Sequence, residues 1–328
     1  MKNLYIITGA AGHLGSTIIR KLLKEECIIR GLILPSEKGE FLDRVEYFTG
    51  DVTNPLSLEP IFSRTDDHDV YVIHTAGLIS IGNDDYEKLY RVNVEGTENI
   101  IAECIKHKVK RMLYVSSVHA IPEVQGHVIS EVSEFDSYDV EGSYAKTKAE
   151  ASEAVMEACS DGLLDAVVVN PSGIIGPYDN GRNHLVQLVK MYITGKLPAG
   201  VDGGYDFVDV RDVAEGCLKA LEKGHSGECY ILSNKYVSIK DLLESVRKVT
   251  GVKRKVCLPV WLAKFFEPAF GMIARITHTR PLYTRYALDT IQGNGHFSHL
   301  KATTELGYRP REMNKTIIDT IAWLRAKA

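Results

Sequence analysis

The chain has 328 residues, 39 basic against 43 acidic side chains, a formal net charge of -4 and a 45% share of hydrophobic residues. That length supports a large core in one domain or two unequal ones, and the composition excludes disordered and fibrous classes. The slightly acidic balance removes any electrostatic reason to expect a nucleic-acid partner.

Residues 4–8 form a short apolar run that reads as a strand. A loop with glycines at 9, 12 and 15 follows, then a helical pattern over 16–25 with Ile18, Ile19, Leu22 and Leu23 on its inner side. Further strands are expected at 28–34, 45–48, 70–74, 111–115 and 166–170. Helices are expected between them at 56–63, 84–106 and 140–158. The strands are near-continuous apolar runs, as a parallel sheet covered on both faces requires. After Pro171 the loops lengthen. Helices are expected at 184–192 and 211–223, and strands at 207–210 and 229–232, the last returning to the main sheet. This gives an α/β fold: a Rossmann-type doubly wound parallel sheet over 1–170, with 207–235 rejoining it. A smaller, mostly helical substrate-binding or lid domain takes 171–206 and 236–328.

Met1-Lys2-Asn3 runs straight into the first strand, so no secretory leader is expected. The six cysteines form no CxxC pair and no Cys/His cluster, so they read as reduced core thiols of a cytoplasmic protein with no metal site. The most apolar stretch, 260–276, is interrupted by Lys264, Glu267, Pro268 and Arg275. It is too short and too charged to span a membrane. It reads as a lid or pocket wall, with peripheral membrane contact left open.

The glycine loop follows a strand and opens a helix, which is the context a dinucleotide needs. Gly9 permits the tight turn, Gly12 the approach of a pyrophosphate to the helix N-terminus, and Gly15 close helix–strand packing. His13 and Leu14 share this loop. Asp51 ends the third strand, where it either accepts a hydrogen bond from an adenine amino group, with Val52 on the ring, or caps the next turn. The cofactor role is favoured. Thr75, Ala76 and Gly77, at the end of the fourth strand, are small enough to pass a ribose and phosphate. His74 reads as a packed, hydrogen-bonded histidine.

Tyr144 and Lys148 stand at i and i+4 in S-Y-A-K-T-K-A-E and share a helix face. A lysine cation beside a phenol is expected to lower the phenol pKa and fit it for proton transfer. Ser117, ending the fifth strand, can hold the substrate oxygen. The YxxxK spacing alone is common on polar helix faces. Its place after a dinucleotide loop and a strand-end Ser-Ser gives it weight.

On these residues the chain resembles the extended short-chain dehydrogenase/reductases, the epimerase/dehydratase superfamily. T-G-A-A-G-H-L-G matches the glycine loop, and V-N-V-E-G-T places Asn93 at the asparagine that supports the lysine site through a water. Ser117, Tyr144 and Lys148 match the catalytic set, and Pro171-Ser172-Gly173 the segment beside nicotinamide, which implies Pro171 and Gly173 at the cofactor. Y-V-S-S-V-H-A and L-P-x-W-L bring it nearest to dihydroflavonol-4-reductase-like and 3-beta-hydroxysteroid-dehydrogenase-like proteins. The resemblance implies a homodimer through the helices at 84–106 and 140–158. It also implies hydride transfer between a nicotinamide cofactor and a small or medium, fairly apolar ketone, aldehyde or secondary alcohol. Alternatives are a nucleotide-sugar 4-epimerase and a non-catalytic dinucleotide-binding regulatory protein. His119, Tyr178, His184 and Arg211 are the candidate substrate residues. The end of the second strand falls at Leu34, which is neither acidic nor basic. Glu37 argues for NAD, Ser36 and Lys38 for the 2'-phosphate of NADP. The sequence leans to NADP.

Overall fold

The computed structural model describes residues 2–79, 86–181, 183–267 and 283–327. In chain order the elements are β1 (Lys2–Thr8), α1 (His13–Leu22), β2 (Ile28–Ile33), β3 (Glu46–Thr49), α2 (Glu59–Phe62), β4 (His68–His74), α3 (Tyr86–Tyr90), α4 (Gly96–Lys106), β5 (Arg111–Val115) and α5 (Ser143–Ser160). They continue with β6 (Ala166–Pro171), β7 (Gly173–Ile175), α6 (His184–Ile193), β8 (Gly200–Val201), β9 (Gly204–Asp209), α7 (Val210–Lys223), β10 (Glu228–Leu232), β11 (Lys235–Ser238), α8 (Ile239–Thr250) and β12 (Cys257–Leu258). A helix α9 is described over 260–267. Helices α10 (Arg285–Thr290), α11 (Leu300–Leu306) and α12 (Met313–Ala326) close the chain.

Seven parallel strands form the main sheet in the order β10-β6-β5-β4-β1-β2-β3. Successive side chains of a strand point to opposite faces, and both faces here are apolar. Ile6, Val72, Met112, Tyr114 and Val168 enter the core under α4 and α5. Their neighbours Ile7, Ile73, Leu113, Val115, Val167 and Val169 enter a second core under α1 and α7. Each such side chain contributes roughly 1.5–3 kcal/mol when fully buried, which is why the strands carry no polar alternation. The order reverses between β1 and β4, whose ends Thr8 and His74 are register partners. A crevice at such a switch point is where ligands bind.

β10 pairs with β6, so the chain returns to the main sheet after its excursion. The excursion carries a small sheet, β11-β9-β7, and a two-stranded pair, β12-β8. Among the described residues no helix is long and apolar enough to cross a membrane.

The structure differs from the sequence expectation in two instructive places. The helix at 84–106 is not continuous: a π-helical turn, Arg91–Glu95, separates α3 from α4. Such turns often mark functional sites, and this one holds Asn93. The strand at 207–210 begins earlier, at Gly204, because β9 is stitched to both β7 and β11.

Candidate active site

The glycine loop forms a backbone cradle. Gly9 has a φ of +64°, and a side chain there would come within 2.8 Å of the Ala76 amide. A Cβ on Gly15 would meet the Gly9 carbonyl at 2.3 Å, so the helix packs where only glycine fits. Gly12 is the N-cap of α1 and brings no side-chain cap. The first amides of α1 thus face the β1/β4 crevice with the positive end of the helix dipole, a fit to a pyrophosphate.

The imidazole of His13 does not belong to that cradle. Its Nε2 donates to the Pro177 carbonyl at 2.8 Å, and its Nδ1 accepts from the Asn183 amide at 3.2 Å. Burial holds it below the usual histidine range. His13 is a neutral tie from the glycine loop to the loop before α6. Leu14 is packed in the core.

A hydrogen-bond chain crosses the switch point. The Ala76 amide donates to Thr8 Oγ1 at 3.2 Å, and the Thr8 hydroxyl to His74 Nδ1 at 2.6 Å. His74 Nε2 donates to Thr97 Oγ1 at 3.0 Å, and the Thr97 hydroxyl to the Asn93 carbonyl at 2.6 Å. The last bond fixes the tautomer, because Thr97 has already given its proton. Burial, helped by the charge of Lys148, pushes His74 down to about 3, so it is a neutral strut as the sequence suggested. Thr75 donates to the Thr8 carbonyl at 2.7 Å. Asn93 clamps the exit of β4 to α5: its Oδ1 accepts from the Leu78 amide at 2.8 Å, and its Nδ2 donates to Thr147 Oγ1 at 3.1 Å. A Cβ on Gly77 would stand 3.3 Å from Asn93 Oδ1 and 3.5 Å from Lys148 Nζ.

Tyr144 and Lys148 lie on the buried face of α5 beside Ser117. One expectation needs correction. Lys148 does not hold the Tyr144 phenol down. Its ammonium donates to the Val115 carbonyl at 2.8 Å and to Tyr114 Oη at 3.1 Å, because a buried cation seeks the strongest acceptors within reach. Burial pulls Lys148 down to about 7. Burial also pushes Tyr144 up to about 12, and a hydrogen bond with Ser117 offsets part of that. Ser117 Oγ further accepts from the His119 amide at 3.2 Å, and the Ser117 carbonyl accepts from Asn170 Nδ2 at 2.9 Å.

An aromatic wall faces Tyr144. His119 packs edge-on to it, with ring centroids 6.1 Å apart, and stacks on Tyr205 at 5.6 Å. Tyr205 meets Phe297 edge-on at 5.6 Å. Burial pushes His119 down to about 4, so this wall is neutral. Phe297 escaped the sequence reading, since nothing local marks a residue 153 positions beyond Tyr144. Below the wall, Gly173 packs against Phe207, and Ser172 donates to Asp206 Oδ1 at 2.5 Å. Pro171 ends β6.

Two candidate substrate residues lie elsewhere. Tyr178, with a φ of +75°, stacks under the Arg20 guanidinium at 4.6 Å. Arg211 is held by Asp209 at 2.7 Å and Asp319 at 2.8 Å. Both line a separate cleft of about 430 Å³ along α1, with Phe41 and Arg311. The cause is local: Asp209 caps α7, and the arginine two residues on folds back to it. His184 opens α6, half-buried. Of the apolar stretch 260–276, residues 268–276, Pro268 and Arg275 among them, lie outside the described residues.

At the far end of the crevice, Asp51 Oδ1 accepts from the Thr53 amide and hydroxyl, each at 2.9 Å. It therefore caps its turn through that oxygen. Val52 is buried against Gly96 rather than turned to the surface. At the end of β2, the Leu34 amide donates to Glu37 Oε2 at 3.0 Å, and the Glu37 amide to the Leu34 carbonyl at 2.9 Å. The loop folds the carboxylate back to the strand end. Lys38 and Ser36 are exposed.

Residues 5–233 match the NAD dependent epimerase/dehydratase family. Among curated proteins, the chain is 28% identical to a Synechocystis sp. protein provisionally named a dihydroflavonol 4-reductase, with 99% of this chain and 95% of that one covered. It is 27% identical to the 3 beta-hydroxysteroid dehydrogenase type 7 of Mus musculus, with 98% and 96% covered. Among solved structures, gox2253 superposes with a TM-score of 0.83 at 30% identity, covering 100% and 99% of the two chains. The UDP-glucose 4-epimerase of Thermus thermophilus, in complex with NAD, superposes with a TM-score of 0.75 at 21% identity, covering 99% and 100%. At that identity the likeness speaks for the fold alone.

Proposed function

The chain belongs to the NAD dependent epimerase/dehydratase family, and from that premise we propose that it exchanges a hydride between nicotinamide and one carbinol or carbonyl carbon of a fairly apolar substrate. Family membership makes it an NAD(P)-dependent enzyme of the dehydrogenase/reductase type acting on small organic molecules. The observation that carries the substrate reading is the neutral stack of half-buried His119 on buried Tyr205, edge-on to Tyr144. A wall of that kind rewards apolar surface and gives a charged group no partner at the reacting carbon.

Bound nicotinamide supplies the hydride acceptor or donor. Tyr144 gives a proton to the carbonyl oxygen in reduction and takes it back in oxidation. Ser117 shares that oxygen and steadies the phenol. Lys148 fixes the end of β5 through Val115 and stands within reach of the ribose side of the crevice. Residues 1–170 and 207–235 form the cofactor-binding part in this reading, and 171–206 with 236–328 the substrate-binding part. The pairing of β10 with β6 supports the first assignment. The Glu37 carboxylate at the Leu34 amide supports NAD over the NADP to which the sequence leans.

The second reading is nucleotide-sugar 4-epimerisation, which starts with the same hydride step. The comparisons back it better than the apolar-substrate reading, since the family is named for it and UDP-glucose 4-epimerases share the whole fold. Against it, Arg211, a candidate substrate residue whose cation could meet a phosphate, is engaged by two aspartates. A panel assay separates the readings. Stoichiometric cofactor turnover on apolar ketones or secondary alcohols supports ours. Inversion of a nucleotide sugar without net cofactor turnover replaces it.

A further inference from the structure

Helix α9 has one face in the fold and one outside it. Val260 and Ala263 pack with Val201 and Leu288. Lys264, on the same side, is paired with Asp289 at 2.6 Å. One turn around, Trp261 is 69% exposed, Phe265 73% and Phe266 44%, and Val256 just upstream is 73% exposed. Trp261 and Phe265 are four residues apart, so they project side by side. Phe265 and Phe266 touch edge-on at 5.2 Å. Three large exposed aromatics on one short helix exceed the scattered apolar exposure of an ordinary surface.

The segment leading into this helix is basic, while Glu267 lies on the helix itself and Asp289 pairs with Lys264. Residues 240–264 hold seven basic and two acidic side chains in a chain whose net charge is -4. Lys253 and Arg254 are exposed immediately before β12. At Cys257, next to Val256, the charge of Asp202 opposes those of Lys240 and Arg254. Of the two acids, Glu244 is taken by Arg247 at 2.7 Å. Aromatics flanked by exposed lysine and arginine match the interfacial zone of a bilayer, where rings sit at headgroup depth and cations meet anionic lipid.

We infer that the outer face of α9, with the basic run Lys253–Lys255, docks the protein peripherally on a phospholipid surface bearing negative charge. The inference is independent of the substrate. It predicts that the full chain co-sediments with phosphatidylcholine vesicles containing one third phosphatidylglycerol at least about tenfold better than with pure phosphatidylcholine. The preference fades in about 1 M salt, where the Debye length is about 3 Å. Replacing Trp261 and Phe265 together by Asp abolishes binding, and replacing Lys253, Arg254 and Lys255 by Glu abolishes the preference for anionic lipid. Thermal melts check that both variants keep the wild-type fold. Failure of the wild type to bind anionic vesicles overturns the inference, as does undiminished binding by the folded Asp variant. So does a wild-type dimer that this variant breaks, which would put a second copy on the face. Fluorescence decides the matter without a disruptive change. The protein has two tryptophans, and Trp261→Phe leaves Trp323 alone. Anionic vesicles should shift the wild-type emission to the blue and leave that of Trp261→Phe in place. A shift that survives the substitution also overturns the inference.

Discussion

The Lys148 ammonium donates a 2.8 Å hydrogen bond to the carbonyl of Val115, two residues ahead of Ser117. One charged side chain thereby ties α5 to the end of β5 and sets the spacing between the helix that carries Tyr144 and the turn that carries Ser117. The tie is made inside the protein, and burial costs the charged form heavily.

That cost sets a pH dependence. The folded lysine titrates at about 7, far below the roughly 10.4 of an unfolded lysine. Below pH 7 both states hold the proton, and the full cost of the buried charge applies. Between about 7 and 10 the unfolded chain binds a proton that the folded one has lost, so this residue's contribution to stability rises with pH. Lys148→Met should remove activity while stabilising the fold at about pH 6, by an amount on the order of a few kcal/mol. The advantage over wild type should shrink toward pH 10. Urea unfolding of the two proteins across that range measures it, and a constant difference would show that Lys148 is not the titrating group.

Tyr144→Phe should lower kcat by roughly 10²-fold or more and leave cofactor binding and melting nearly unchanged. The phenol, pushed up to about 12, holds its proton through the neutral range. It is ready to donate in reduction and must lose a proton to act in oxidation. The oxidation rate should therefore climb with pH above neutrality while the reduction rate stays flat. Ser117→Ala removes the hydrogen bond that offsets burial, so the climb should move to higher pH. An unchanged profile in that variant would separate Ser117 from the phenol.

Much of this was legible in the sequence because it is local. The strands were visible as apolar runs, and Gly9, Gly12 and Gly15 as a strand–turn–helix signal, since each rests on neighbours within a few positions. Tyr144 and Lys148 were visible as an i, i+4 pair, but the direction of the ammonium was not, because Val115 and Tyr114 lie more than thirty residues away. His13 was read as part of the cofactor loop for the same reason: its partners are Pro177 and Asn183. Arg211 reads as free until Asp319, 108 residues on, is seen to hold it. The π turn at Asn93 has no periodicity of its own and passes as ordinary helix.

The homodimer implied by the resemblance would use the outer faces of α4 and α5. Those faces expose Glu95, Glu98, Glu153 and Glu157, and the Glu153 carboxyl is pushed up by burial and by Glu157, Asp136 and Glu150. A two-fold axis would set this patch against itself. Screening should then favour assembly, so the dimer fraction at micromolar concentration should rise with salt. Light scattering at low and high ionic strength tests this. A monomer under both conditions excludes the dimer, and a dimer weakened by salt would place the interface on another surface.

The loop after β2 is where cofactor choice can be tested. Leu34, where the chain leaves β2, offers no group to the ribose of adenosine. The loop compensates by returning the Glu37 carboxylate to the Leu34 amide at 3.0 Å, while Lys38 is exposed. A carboxylate held at the strand end accepts hydrogen bonds from ribose hydroxyls and repels a 2'-phosphate. The Leu34 amide orients the carboxylate toward the strand end. Calorimetric titration should show NAD binding at least tenfold tighter than NADP, a difference of about 1.4 kcal/mol. Glu37→Gln removes the charge and keeps the acceptor for the Leu34 amide, so it should bring the two cofactors close together chiefly by improving NADP. Were the wild type to bind NADP equally well or better, Glu37 would not be the group that reads the ribose, and Ser36 and Lys38 would take that role.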